Sequence, residues 1–276
     1  MELRATSYEI VDRTAVITLR RPDRGNAWTG RMHAEYKHSI AAAEADPAVR
    51  VIVVTGAGRA FCVGGDAKAL EGHADRGSYD DGLAAAGDTE RDEDGAGYGL
   101  DPEFDHQFAY HFGLATPVIA AINGPAAGVG LALACFADLR FAVPGAKLTT
   151  AHGKLNLPPE FGLSWILPRH IGLTRAMDLL LTSRVFLTDE AHDLGLINAI
   201  HPADELLDRT LAYAEQLAST VSAGSLRATR RLVYQDQHRG IGTSVTESLR
   251  QLTTMMGEPD YRKGVAALQA KRPPDF

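Results

Sequence analysis

The sequence has only two cysteines among its 276 residues, Cys62 and Cys135. They lie far apart and form no CxxC pair, which excludes a disulfide framework and a cysteine-based zinc site. Positive charge is also in deficit, because 28 Lys and Arg face 35 Asp and Glu, for a net charge of −7. This balance argues against nucleic acid or an anionic membrane as a partner, and an anionic ligand would need a local basic pocket.

The amino-terminal residues MELRATSYEIVDR lack the apolar segment of a signal peptide, which predicts a cytoplasmic protein. One uncharged run, residues 113–137, is long enough to cross a bilayer. Pro117, Asn123 and Pro125 interrupt it, and lipid would leave the backbone at that break without hydrogen bonds. A buried strand, a turn and a buried helix are the better prediction, and no membrane association is expected.

Apolar runs and their spacing predict an α/β core. VIVVTG (51–56) and PVIAAING (117–124) are continuous apolar runs that end in glycine, as is typical of strands buried on both faces, and DLRFAV (138–143) follows as a third. Strands that alternate with helices favour a mostly parallel sheet. The other predicted elements are two strands within 8–21, helices over 30–45 and 102–115, and helices from about 160 onward.

We therefore predict a core over residues 1–200 and a helical region over 201–276. The core contains an irregular stretch at about 70–101, whose acidic, glycine-rich part (77–101) has no periodicity and suits a mobile lid. Residues 90–101 partly match a calcium-binding loop, but both end ligands differ from that pattern, so no metal site is expected.

Two segments share one design, a strand followed by a glycine-containing turn and a helix. They are AFCVGGD (60–66) and GPAAGVG (124–130). Glycine lets the backbone approach a ligand, and the first turn of a helix has free N–H donors, so two such turns could form an oxyanion hole. The alternative interpretation is two ordinary strand–helix turns. Neither segment is a dinucleotide or Walker A motif, and the chain has no G-x-S-x-G elbow.

In combination, several segments closely resemble the crotonase superfamily, the enoyl-CoA hydratases and isomerases. The segments are RPDRGNAW (21–28), GAGRAFCVGGDAK (56–68), PVIAAINGPAAGVGLALACFADLRFA (117–142), LPRHIGLTRAMDLLLTSRVFLTDEAHDLGLIN (167–198) and VAALQAKRPPDF (265–276). The resemblance implies a spiral of ββα units with a C-terminal helical trimerisation region, assembled as a homotrimer or a dimer of trimers. It also implies an acyl-CoA thioester substrate, with no separate cofactor, whose carbonyl oxygen is held by the amides of Gly65 and Val129.

The departures from the family pattern bear on the chemistry. Typical hydratases carry two catalytic glutamates, and here the matching positions are Ala132 and His152. Glu160 lies at the loop position where some enoyl-CoA isomerases of the family carry their catalytic Glu. Next to Phe161, its pKa could be raised by desolvation, as suits a base near neutral pH. The alternative for Glu160 is an acid that favours a helix dipole, and for His152 a buried structural histidine.

Five residues are candidates for contact with CoA. Lys68 could meet a CoA phosphate, with a solvated helix lysine as the alternative, and Lys271 could approach CoA from a neighbouring subunit. The other three lie in the turn around Gly65 and are Cys62, Gly64 and Asp66. The alternatives are a small core residue for Cys62 and a helix cap for Asp66.

The predicted reaction is isomerisation of a 3-enoyl-CoA to a 2-enoyl-CoA, with Glu160 as the base. Hydration of a 2-enoyl-CoA by Glu160, helped by His152, is the first alternative. The second is a non-catalytic acyl-CoA binding protein, because Ala132 and His152 are what a loss of the two glutamates would leave.

Overall fold

The computed structural model of the protein describes residues 1–77 and 104–276. Its main sheet has six strands in the order β1-β2-β3-β4-β6-β9, and a smaller sheet has the order β5-β7-β8. The strands are β1 (Thr6–Val11), β2 (Thr14–Leu19), β3 (Val51–Gly56), β4 (Val118–Ile122), β5 (Ala126–Ala127), β6 (Leu139–Ala142), β7 (Lys147–Thr149), β8 (Phe186–Leu187) and β9 (Ala199–Ile200).

The main sheet confirms the predicted parallel α/β core. β1 pairs antiparallel with β2, and every later pairing in this sheet is parallel. All residues of β3 and β4 are buried, as expected for strands covered on both faces. The carboxyl ends of β3 and β4 therefore lie side by side, and the two glycine-containing turns start there.

Ten α-helices occur in the described residues. They are α1 (Gly30–Ala45), α2 (Ala67–Arg76), α3 (Val129–Phe136), α4 (Leu163–Ile171), α5 (Leu173–Thr182), α6 (Thr188–Asp193), α7 (Leu206–Thr220), α8 (Ala223–Asp236), α9 (Ile241–Met256) and α10 (Pro259–Gln269). The predicted helix over 30–45 is confirmed. Thr29 caps it by accepting a hydrogen bond from the Met32 N–H, 3.1 Å away.

The predicted helix over 102–115 is wrong for its described part, which contains only a short 3-10 helix, Ala109–Gly113. Phe108 precedes it with a φ of 59°, a left-handed conformation that ends helical geometry. Four aromatic residues of this segment are buried, and all but Tyr110 recur at the four-residue spacing of a helical face, so spacing alone could not reveal the break: Phe104, Phe108, Tyr110 and Phe112.

The uncharged run 113–137 forms β4, a turn and α3, as predicted. All eight residues of α3 are buried. In the part of the chain that the structure describes, no helix is both long and apolar enough to span a membrane.

The first helix of the region after residue 200, α7, packs against the core. Leu206 and Ala214 of α7 pack against Val51, Val53 and Ile119 on one face of the main sheet. The boundary at residue 200 stays a prediction, because this first helix shares the core of the preceding strands.

A buried ion pair ties α8 to the core. The Arg230 guanidinium lies 2.8 Å from Asp138 and also donates to the His111 and Leu114 carbonyl oxygens. The Tyr234 hydroxyl donates to the same carboxylate at 2.6 Å. Asp138 in turn accepts from the Val118 N–H at 2.6 Å, so α8 is fixed to the first residue of β4. Loss of either charged partner would leave the other buried and uncompensated.

Candidate active site

The two glycine-containing turns are hydrogen-bonded to each other. Cys62 and Ala126 form an isolated parallel bridge, in which the Ala127 N–H donates to the Cys62 carbonyl at 3.0 Å and the Cys62 N–H to the Pro125 carbonyl at 3.2 Å. A Cβ on Gly130 would lie 2.1 Å from the Cys62 carbonyl oxygen, and one on Gly124 would lie 2.1 Å from the Arg59 carbonyl oxygen. The close approach of the two turns therefore requires glycine at both positions.

Gly130→Ala is expected to destabilise the fold by about 1–3 kcal/mol, because its methyl group would meet a backbone carbonyl that is itself hydrogen-bonded. Gly242→Ala is the matched control. It is also the second residue of a helix, but outside its own helical turn no atom of the described residues lies within 4 Å of its Cβ position, so a small gain in stability is expected. Chemical denaturation measures both changes, and equal stabilities of the two variants would contradict the tight packing at Gly130.

Gly65 presents its amide away from the neighbouring chain segment. It forms a parallel bridge with Trp28, in which the Trp28 N–H donates to the Gly64 carbonyl at 2.8 Å and the Asp66 N–H donates to the Trp28 carbonyl at 2.9 Å. These bonds flank Gly65, so its own N–H points to the opposite side. Among residues 1–77 and 104–276 that N–H has no acceptor, and Gly65 is exposed.

The Val129 amide is a second N–H without an acceptor among the residues that the structure describes. Val129 is the first residue of α3, so its N–H has no carbonyl one turn earlier to bond to, and no side chain caps this helix. Gly128 before it has a φ of 48°, and its N–H donates to the Thr149 carbonyl at 3.0 Å. The structure thus places both predicted donors on two turns that are directly hydrogen-bonded to each other. Two such N–H groups can hold an oxygen that gains negative charge.

Glu160 lies beside the Val129 turn. Its Oε2 atom is 4.0 Å from the position that a Cβ on Gly128 would occupy, so a side chain at residue 128 would contact the carboxylate. Glu160 begins a 3-10 helix, Glu160–Gly162, in which Phe161 has a φ of 51° and packs edge-on against Phe108 with ring centres 5.3 Å apart. Burial raises the pKa of Glu160, and the charge of His73 opposes this increase.

Sequence analysis did not identify His73 as a site residue. It lies on α2, which begins directly after the Gly65 turn, and it is close enough to influence Glu160 electrostatically. Leu70, three residues earlier on the same helix, has its Cδ2 atom 3.6 Å from the Cβ position of Gly65. The leucine and the histidine therefore share one face of α2 that is turned toward the site. Nothing in the local sequence distinguishes His73 from a solvated helix residue.

The two positions at which the resemblance led us to expect the hydratase glutamates are both interior. Ala132 is fully buried within α3 and supplies no polar group. His152 follows β7, is 5% exposed, and has a buried Nδ1 atom without a hydrogen-bond partner among the described residues. An unpartnered buried nitrogen is uncommon in a folded protein, so His152 differs from an ordinary structural histidine.

Of the predicted CoA contacts around Gly65, the structure contradicts the one at Cys62, while the one at Asp66 stays a prediction. Cys62 is fully buried, its backbone groups are hydrogen-bonded within the core, and burial raises the pKa of its thiol to about 12, so it has no surface for a ligand. Asp66 caps α2 through the Lys68 N–H and pairs with Arg21 at 2.8 Å. Burial raises the pKa of Asp66, but the Arg21 and Lys68 hydrogen bonds outweigh it and the pKa is lowered overall.

The other predicted contacts differ in accessibility. Gly64 is buried with a φ of 111° and shapes the turn, while Lys68 is exposed in the first turn of α2. Lys271 is exposed just after α10, and the chain end beyond it is anchored where the Phe276 carbonyl accepts from Arg13 at 2.9 Å. Arg13 precedes β2, so the hydrogen bond between Arg13 and Phe276 lies at the amino end of this strand. The Gly65 turn lies at the opposite end of the sheet, after the carboxyl end of β3.

Solved structures with the same architecture place the chain in the crotonase fold. A putative enoyl-CoA hydratase from Streptomyces coelicolor A3(2) superposes with a TM-score of 0.84 at 30% identity, over 100% of this chain and 94% of that one. An enoyl-CoA hydratase subunit I from Geobacillus kaustophilus HTA426 gives 0.83 at 28% identity, over 100% and 99%. The predicted crotonase-like α/β fold with a C-terminal helical region is confirmed.

Sequence comparison identifies the family. The model of the enoyl-CoA hydratase/isomerase family matches residues 9–276. The 1,2-epoxyphenylacetyl-CoA isomerase of Escherichia coli K12 is 32% identical over 94% of this chain and 93% of its own length. A probable enoyl-CoA hydratase of Rhodobacter capsulatus is 33% identical over 100% and 99%. The chain belongs to the enoyl-CoA hydratase/isomerase family.

Proposed function

We propose that this protein isomerises a 3-enoyl-CoA thioester to the 2-enoyl-CoA thioester, with Glu160 as the base. The observation that carries the proposal is the position of the Glu160 carboxylate, which lies beside Gly128 and therefore beside the unpaired Val129 amide. Partial burial, which raises its pKa, suits this carboxylate to take up and release a proton.

In the proposed reaction the thioester oxygen accepts hydrogen bonds from the Gly65 and Val129 N–H groups. Glu160 removes a proton from the α carbon, and the electron pair of that C–H bond forms an enolate that the two amides stabilise. The protonated Glu160 then delivers the same proton to the γ carbon, while the double bond moves from the β,γ to the α,β position. No atom is gained or lost, so one acid–base group is sufficient.

The relatives support an acyl-CoA substrate, because the Escherichia coli and Rhodobacter capsulatus proteins are both named for CoA thioesters. The second candidate is hydration of a 2-enoyl-CoA, in which Glu160 and His152 activate a water molecule. The unpartnered Nδ1 of His152 favours this candidate, because a water molecule could fill that position.

We propose in addition that the protein assembles as a homotrimer or a dimer of trimers. Two helices carry rows of exposed apolar residues at helical spacing, which a second copy would cover. The residues are Leu173, Met177 and Leu181 on α5, and Ile241, Val245, Leu249, Leu252 and Met256 on α9. In this assembly Lys271 of one copy would approach the CoA bound by another copy. Lys68 of the copy that binds the CoA would contact the same ligand. Light scattering is expected to give three or six times 29.6 kDa, and a monomer mass would overturn the proposal.

The proposed reaction is tested by turnover of the purified protein with 3-enoyl-CoA and with 2-enoyl-CoA, followed by the absorbance of the conjugated thioester. Isomerisation predicts a rise in absorbance with 3-enoyl-CoA. A fall with 2-enoyl-CoA and no reaction of 3-enoyl-CoA would instead identify a hydratase. Tight binding of both thioesters without turnover would identify a non-catalytic binder.

A further inference from the structure

Two phenylalanines at the candidate site have left-handed backbone conformations. Phe161, which directly follows Glu160, has a φ of 51° and a ψ of 34°, and Phe108 has a φ of 59° and a ψ of −29°. A bulky residue disfavours this region because its Cβ crowds the carbonyl oxygen that follows. Such residues persist only where the surrounding contacts hold them, and they concentrate at functional sites.

The side chains of these two residues contact each other. Their rings pack edge to face, with centres 5.3 Å apart and planes at 90°. The Phe108 ring is fully buried, and its centre lies 5.5 Å from that of Trp28. Phe161 is half-buried and packs against the same core. The ring contact therefore ties the turn that carries Glu160 to the interior of the protein.

A buried hydrogen-bond chain fixes Phe108. Its carbonyl accepts from the His111 N–H at 3.0 Å and from the His111 Nδ1 at 2.6 Å. Because a carbonyl can only accept, Nδ1 carries the proton, and Nε2 therefore accepts from the Tyr36 hydroxyl at 2.8 Å. Burial lowers the pKa of His111 to about 4, so the imidazole is neutral near neutral pH and the chain stays intact.

The Glu160 carboxylate is placed by the backbone of its turn. Its side chain makes no hydrogen bond with the described residues. Its Oε2 atom nevertheless lies 4.0 Å from the position of a Cβ on Gly128, beside the start of α3. Whatever keeps Phe161 in its left-handed conformation therefore also sets where the carboxylate lies.

We propose that Phe161 and Phe108 position Glu160, because their ring contact holds the turn in its left-handed form and the carboxylate beside the Val129 amide. The proposal rests on the proposed function, in which Glu160 is the base. Phe161 is then a positioning residue, which acts through the backbone that it shares with Glu160. Phe108 supplies the fixed surface against which that backbone is held.

Phe161→Ala removes the ring but keeps a Cβ in the left-handed region, so the turn loses the contact that holds it. The value of kcat for 3-enoyl-CoA is expected to fall by a factor of about 10–100, as a displacement of roughly 1 Å costs. The dissociation constant of saturated butyryl-CoA should stay within about threefold, because the two amides are untouched. Phe161→Tyr keeps a ring and is expected to retain most of the wild-type kcat.

A second measurement needs no substrate. Burial raises the pKa of Glu160 above 4.5, against the opposing charge of His73 on α2, so a carboxylate released toward water should titrate at lower pH. Infrared titration of the carboxylate band measures this pKa, as the difference between each protein and the same protein carrying Glu160→Gln. The pKa is expected to fall in Phe161→Ala and to stay raised in Phe161→Tyr.

Phe108→Leu separates positioning from simple exposure, because it leaves the Phe161 ring next to Glu160 and removes only the surface that holds it. Both kcat and the pKa of Glu160 are expected to fall, by less than in Phe161→Ala. Phe104→Leu is the matched control. Phe104 is also buried in this segment, but its ring contacts Phe112 and His238, so its loss should reduce stability without moving kcat or that pKa.

Unchanged kcat and pKa in folded Phe161→Ala would overturn the proposal. So would equal changes in Phe104→Leu and Phe108→Leu, since general loosening of the core would then explain both. If wild type does not isomerise 3-enoyl-CoA, the proposed function fails, while the infrared titration still decides whether the ring contact positions Glu160. Should Phe161→Ala not fold, Phe161→Leu, which keeps apolar bulk without a ring, takes its place.

Discussion

Glu160→Gln is expected to lower kcat for 3-enoyl-CoA isomerisation by a factor of about 10²–10⁴, the range that a positioned acid–base group contributes. Glutamine has nearly the same shape but cannot take up the α proton, so binding of a saturated acyl-CoA should change little. The Glu160 side chain makes no hydrogen bond with the described residues, and the melting temperature should therefore be close to wild type. Stopped-flow absorbance with 3-enoyl-CoA measures the effect.

The pH dependence gives a second readout of the same residue. Because burial raises the pKa of Glu160 above its ordinary 4.5, kcat should fall as the pH decreases through that raised value, where the base becomes protonated. The charge of His73 lowers the same pKa, so His73→Gln should move the inflection to higher pH. Glu205→Gln, on an exposed segment before α7, is the control and should keep the wild-type profile.

Unchanged kcat in folded Glu160→Gln would remove Glu160 from the mechanism.

The sequence predicted the structure best where the local pattern of apolar residues and glycines matches the burial of those residues in the fold. β3 and β4 are buried on both faces, so their apolar runs could be recognised without knowledge of their neighbours. The turns that follow them contain glycines whose hydrogen atoms face backbone carbonyls, and glycine is the only residue that permits this contact. The two turns therefore follow from composition and spacing, whereas the assignment of the Gly65 and Val129 amides as donors rests on the resemblance to the crotonase superfamily and stays a prediction.

Prediction failed where distant contacts decide the structure. The 102–115 helix was expected from spacing, but Phe108 has a φ of 59°, a left-handed conformation that interrupts helical geometry. The small sheet was missed because β5 and β8 have only two residues each, too few for a period-2 pattern. The lid and calcium interpretations of residues 77–101 fall outside the described residues from Ser78 onward.

The same limit applies to side chains in the site. Cys62 was predicted to contact CoA, yet the structure buries it completely in the core. The influence of His73 on Glu160 depends on how α2 folds back over the Gly65 turn, which no local pattern encodes. The missing partner of His152 is likewise visible only when all neighbouring groups are in place.

Val129→Pro is expected to lower kcat by about 10²–10³, because it removes one of the two proposed oxyanion donors. The first position of a helix accepts proline readily, since the N–H lost there has no partner within the helix. Gly128 carries no Cβ to collide with the proline ring, so the turn can keep its shape. The variant should therefore fold, and the loss should appear in the transition state more than in the affinity for saturated butyryl-CoA.

Val129→Ala separates the amide from the side chain. It retains the N–H but removes two buried methyl groups, so it should lose about 1–3 kcal/mol of stability while keeping turnover within a few fold of wild type. If Val129→Pro folds and turns over like wild type, the Val129 amide is not an oxyanion donor. If instead the alanine variant loses as much turnover as the proline variant, the valine side chain, rather than its amide, shapes the site. A loss confined to the proline variant assigns the effect to a single backbone hydrogen, which the Gly128 turn leaves unpaired at the start of α3.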